Sequence, residues 1–253
     1  GQRPELLLAY ARSRVDDGAL DDAVLVEATE GLLRSGKVEA AAEAQARLGG
    51  VWLNRGDRDR ALEHLERGRE LVEDHGPSPA KAFVLQELGR ALMMADEFER
   101  AMELASESLR LAESLRLEAT RARNLNTIGM ARAAAGDIGG IEDIERSIEL
   151  AVRANSLHEH YVGLVNLSSS VAQYGDLRRA ASVMEQASGV AVSSGIDANV
   201  RWDRMEQAGH AYFRGDWDET EHIVGEARAE LEGLREEIRA ARRRERERRR
   251  ATP

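Results

Sequence analysis

Leu48-Gly49-Gly50-Val51-Trp52, then Gly56-Asp57, then Ala61-Leu62-Glu63-His64-Leu65 is a unit that the chain repeats four more times. Its first small residue recurs as Gly49, Gly89, Gly129, Ser168 and Ala208, at intervals of 40, 40, 39 and 40. Seven residues later stands a turn residue: Gly56, Asp96, Gly136, Gly175 and Gly215. A third column follows with Ala61, Ala101, Gly140, Ala180 and Thr220. The one slip in register falls between Gly136 and Gly140, inside a turn, where a deletion disturbs least. A sustained period of this length is the mark of a stacked repeat architecture.

Each column has a mechanical reason. Two antiparallel helices approach closely where the facing side chains are small, so Gly49 and Ala61 mark a crossing point. The turn column lies where the first helix ends and reverses, and Gly enters the left-handed region there at no steric cost. Asp57, Asp137, Asp176 and Asp216 follow it, short acceptors suited to starting the next helix. The pattern predicts helix pairs at about 38–54/58–73, 80–95/98–113, 120–135/138–153, 159–174/177–192 and 198–214/217–233. Ahead of them, residues 4–14 and 23–34 read as two further helices joined by a turn over 14–22, the first opening on Pro4.

The run Leu-Gly-x-x-Trp, Gly-Asp, Ala-x-x-x-Leu resembles the tetratricopeptide repeat. That resemblance implies an all-α fold, a right-handed α-α superhelix of helix–turn–helix units, here with a period of about 40 residues. It implies three parts: a helical segment at 1–37 belonging to the array, five repeats over 38–233, and an Arg-rich tail at 234–253. The phrases Arg-Gly-Asp-Arg-Asp-Arg-Ala-Leu (55–62) and Leu-Asn-Thr-Ile-Gly (125–129) further resemble the helical arms of large bacterial signal-transduction ATPases and nucleotide-cyclase-linked regulators. From that comes the expectation of a regulatory arm in a longer parent chain; a cytoplasmic location is the expectation from composition and the lack of a membrane-span or signal-peptide pattern.

Composition agrees with helices and excludes several classes. Apolar residues are 42% of the 253 and aromatics 4%, and Pro is confined to positions 4, 77, 79 and 253. There is no Cys, so disulfides and thiolate metal sites are excluded. No apolar run reaches the ~20 residues of a membrane span, and the first residues do not have the pattern of a signal peptide. The net charge is −10, although 235–250 holds nine Arg against four Glu. The rest of the chain is therefore the more acidic, which argues against nucleic acid along the array. The tail reads as an exposed helix or a solvated segment.

The chemical motifs dissolve on inspection. Gly31-x4-Gly36-Lys37 has Val38 where a phosphate loop needs Ser or Thr, and it ends a helix where the loop needs a preceding strand. His158 and His160 are two apart, which on a helix points them to different sides. His64, His75, His210 and His222 are scattered. Asn166-Leu167-Ser168 is a formal sequon, but Ser168 occupies the small column. No catalytic residue, cofactor or metal is expected.

What remains is a groove. By the resemblance, the first helix of each repeat lines the concave face, with groove positions three before and one, four and five after the small anchor. Among these Arg90 is the lone charge, set amid amides and methionines. The candidate peptide contacts are Asn54, Arg90, Asn126, Asn166 and Gln173, with Asn166 one place off the strict register. Asn and Gln match both the N–H and the C=O of an extended backbone. The expected role is a protein- or peptide-binding scaffold. The alternative is a small-ligand sensor that passes a change in curvature to an attached output domain.

Overall fold

The computed structural model describes residues 2–13, 22–194, 197–230, 232–233 and 236, and among them every regular element is helical. The helices are α1 (Arg3–Ser13), α2 (Asp22–Arg34), α3 (Val38–Asn54), α4 (Arg58–Val72), α5 (Pro79–Met93), α6 (Phe98–Leu115), α7 (Glu118–Ala134), α8 (Gly140–Arg153), α9 (Leu157–Gln173), α10 (Leu177–Ser194) and α11 (Asp197–Arg214). A further helix, α12, covers 217–230. No described helix is long and apolar enough to cross a membrane. The expected turn over 14–22 lies outside the described residues apart from Asp22, which opens α2. The expected tail over 234–253 lies outside them apart from Glu236.

The register explains the pairs. All five turn-column residues have positive φ: Gly56 80°, Asp96 62°, Gly136 92°, Gly175 88° and Gly215 77°. Each reverses the chain within three or four residues. Asp57 and Asp176 then cap the next helix, accepting from the backbone N–H of Arg60 at 3.2 Å and of Arg179 at 3.0 Å. Asp137 behaves differently: it accepts from Gly139 N–H at 2.9 Å, and α8 begins at Gly140, two residues later than the repeat predicts. The one-residue deletion is taken out of the first turn of that helix.

The small columns meet as the pattern requires. A Cβ on Gly129 would sit 2.6 Å from Gly140 O and 2.9 Å from Ile144 N, so the α7 and α8 backbones touch. A Cβ on Gly49 would meet Leu65 Cγ at 2.6 Å. In the fourth pair Ser168 replaces Gly, and its hydroxyl donates to Ala180 O at 2.8 Å. The sequon residue is thus a buried bolt across the α9–α10 crossing. Gly31 packs against Pro4, and Lys37 pairs with Glu5. The phosphate-loop lookalike is therefore the join between α2 and α3.

The chain divides into two compact units, Gly1–Asn199 and Val200–Pro253, so the expected array over 38–233 crosses that boundary. In the first unit, each second helix packs on the first helix of the next pair (α2 on α3, α4 on α5, α6 on α7, α8 on α9). First helices also pack on one another in sequence, α1–α3–α5–α7–α9, whereas the described second helices stand further apart and reach the next through long side chains, as in Arg100–Glu66 at 3.0 Å and Arg179–Glu145. The first-helix side is thus the narrow, concave side, and the second helices splay outward. This is an α-solenoid of tetratricopeptide-like pairs, with α1 and α2 stacked as one more pair ahead of the first full repeat. In the second unit α11 and α12 are linked by Arg204–Glu230 at 3.1 Å and by an edge-on Tyr212–Trp217 contact at 5.1 Å.

Candidate functional site

The concave side of the first unit is built from α1, α3, α5, α7 and α9, and its centre is α5–α7–α9. The five candidate residues are distributed along it without bonding to one another. Asn54 and Gln173 are exposed at the last residues of α3 and α9, and Asn166 is half-buried within α9. Arg90 on α5 is half-buried, its Nε and Nη2 donating to Glu87 Oε2 at 3.3 and 3.0 Å. Its Nη1 faces only Met94 Sδ at 3.7 Å, a weak acceptor. Asn126 on α7 is only 8% exposed, and its Oδ1 has no hydrogen-bond partner.

That orphan matters energetically. A buried carbonyl oxygen without a donor costs on the order of 1–3 kcal/mol.

The face carries more charge than the expectation of Arg90 alone. Arg123 on α7 spans three first helices: Nη1 donates to Glu87 Oε1 on α5 at 3.0 Å, Nε to Glu159 Oε2 on α9 at 3.0 Å, and Nη2 to Glu159 Oε1. Gln86 Nε2 donates to Glu87 at 2.9 Å. Toward the amino terminus, Glu43 on α3 accepts from Arg12 on α1 and from Arg47 one turn along α3. Burial alone would raise the Glu87 carboxyl, but the charges of Arg90 and Arg123 outweigh it and hold the group at about 2, below its ordinary 4.5. For Arg123, burial opposes the charge and the two carboxylates more than restore it. Glu43 follows the same balance and is lowered.

Sequence reasoning missed this network for a definable reason. Glu87, Arg123 and Glu159 stand two, six and nine residues before their small anchors, so they recur every 36 residues and drift against the repeat of 40. An alternation of Glu, Arg and Glu at one constant interval was the available signal.

Comparisons with known proteins support the fold. No family model and no curated protein matches the sequence. Among solved structures, the chain is similar to a Rap protein complexed with Competence and Sporulation Factor, with 12% identity and a TM-score of 0.71 over 88% of this chain and 64% of that one. It is similar to NprR in complex with its cognate peptide NprX, with 14% identity and a TM-score of 0.68 over 88% and 66%. A third similarity is to a signal-transduction ATPase with a tetratricopeptide repeat sensor from Pyrococcus horikoshii, with 15% identity and a TM-score of 0.58. That alignment covers 94% of this chain and 36% of the ATPase. At these identities the comparisons establish the tetratricopeptide-like fold and nothing finer.

Proposed function

We infer that this chain is a non-catalytic scaffold whose concave face binds an extended peptide or protein segment. The observation that carries the reading is the half-buried Arg90 on the first-helix side, whose Nη1 has only the Met94 thioether to bond. An extended segment offers that guanidinium a carbonyl or a carboxylate. Met93, Met94 and Met130 supply adaptable apolar contact around it. Asn54, Asn166 and Gln173 extend the row of amides along α3 and α9. The two peptide-bound neighbours of the same fold support the reading, as does the repeat-bearing ATPase for a place as the cytoplasmic regulatory arm of a larger bacterial signalling or transcription regulator. In that setting neither nucleic acid nor membrane is the partner.

The test is a binder selected from a library of extended peptides, titrated into the wild type, Asn126→Ala and the Asn126→Ala/Arg90→Ala double variant. Losing one amide contact should cost ~0.5–1.5 kcal/mol, a visible drop in affinity, and the double variant should lose more. Unchanged affinity in a folded double variant moves the binding surface elsewhere.

The alternative is a sensor whose groove takes a small ligand and passes a change in curvature to an attached output domain. A stabilising metabolite in a thermal-shift screen, with no peptide bound, would favour it.

A further inference from the structure

Between α6 and α8, where the second helices splay apart, lies a pocket of about 110 Å³. Its floor is Leu109, Leu125 and Leu150, and three guanidinium groups, Arg121, Arg146 and Arg153, stand around it. Arg121 is held in place by Glu118 at 2.8 Å and reaches Glu113 at 3.9 Å, while its Nε is buried with no partner. Arg146 reaches Asp143 only at 3.4 Å, and that carboxylate is already engaged by Arg132. Arg153 has no ion pair among the described residues. Two carboxylates, Glu113 and Glu149, also line the pocket, leaving it one positive charge in a chain of net −10.

The repeat supplies its own controls. At the preceding junction the place of Leu109 is taken by Arg69, which bonds Glu66 at 2.8 Å and Glu73 at 3.3 Å. The place of Arg121 there is Lys81, whose Nζ donates to Glu73 O at 2.8 Å and His75 O at 3.0 Å. That junction is closed by its own side chains. At the following junction the equivalents of Leu109, Leu125 and Leu150 are Ile148, Leu164 and Val190, all packed in one apolar cluster. The equivalents of the three arginines there are His160, Gln186 and Ser193. The junction between the second and third full pairs thus combines an apolar floor, open volume and three guanidinium groups.

We propose that this pocket is a binding site for a small organic carboxylate. Its hydrocarbon part passes Leu109, Leu125 and Leu150 and is smaller than a benzene ring, which takes a cavity of roughly 150 Å³. The carboxylate meets the arginines, whose forked donors match it. The site is on the convex side and stands independently of the concave peptide groove.

The probe is isovalerate, titrated into the full chain carrying labelled Leu methyl groups and followed by NMR. Expected are saturable shifts of the Leu109, Leu125 and Leu150 methyls. The Arg146→Gln/Arg153→Gln variant, whose substitutions are both at exposed positions, should bind about threefold more weakly or worse. Leu109→Arg, which copies the closed junction, should abolish the shifts. Methyls that do not respond, or that respond equally to 3-methylbutan-1-ol, would overturn the proposal. So would equal binding by the double variant, or equal occupancy by inorganic phosphate. Peptide affinity in the groove reads none of these outcomes, so the two sites fail separately.

Discussion

At the scale of single residues, the small columns act through backbone contact. Gly129 faces the backbone of Gly140 and Ile144, which cannot move aside as a flexible side-chain end can. Gly129→Ala should therefore cost ~1–3 kcal/mol, the range for overpacking a tight interior. Gly209→Ala, in the second unit where an added Cβ meets nothing within 4 Å, is the control. Thermal melts of the two variants check this: a Gly129→Ala protein that melts with the wild type would mean that α7 and α8 do not cross there. The turn column was equally legible, since Gly at four of five places announces a positive φ. Asp96 alone carries that geometry with a side chain, which an Asp tolerates better than most residues.

At the scale of elements, α7 is the member on which the first unit depends most. It crosses α8 through Gly129, buries Asn126, and holds α5 and α9 through Arg123. Arg123→Gln would leave Glu159 buried without its cation and Glu87 with Arg90 alone, and breaking such a pair typically costs about 3–5 kcal/mol. The same network sets an acid limit. Glu87 has a folded pKa of about 2, below its ordinary 4.5, so its contribution is fully present above pH 4.5 and is lost as the pH falls toward 2. Urea titrations of the wild type and Glu87→Gln should show the wild type losing stability over that window more steeply than the variant. Parallel slopes would mean that Glu87 is not ionised in the folded protein.

Helix existence, pairing and crossing points followed from the sequence because they depend on spacing along one chain, which composition columns record. The start of α8 did not, since the deletion in its turn removes helix without altering any column. The charge network also escaped, because Arg123 reaches its partners with a long side chain across helices. Such reach does not respect repeat register. Asn54, Arg90, Asn126, Asn166 and Gln173 could be placed on first helices from spacing alone. That Asn126 lacks a partner depends on what packs around it, and no spacing conveys that.

At the scale of the whole molecule, the stacking pattern makes the first unit a one-sided structure. First helices form an unbroken line of close packing, while the described second helices are joined to the next only by exposed ion pairs such as Arg100–Glu66, so the inner line is the stiffer side. Stability in such arrays is a sum over units and their interfaces. The interfaces here are not alike: one is closed by Arg69 and Lys81, one is open, and one is filled with apolar side chains.

Repeat proteins are often pictured as edited in whole units, one pair gained or lost with the rest unchanged. The bridge through Arg123 forbids that picture here. Excising residues 118–156 would splice the second full pair onto the fourth while keeping the period nearly intact. It would also set Glu87 and Glu159 on adjoining first helices with no arginine between them, two like charges where a neutralised pair had been. Excising the first full pair, by contrast, leaves the Glu87–Arg123–Glu159 bridge whole. The first deletion should melt well below the second, and equal melting points would show the units to be interchangeable. Through Arg123 a single side chain of the third pair specifies the carboxylate on each of its two neighbours.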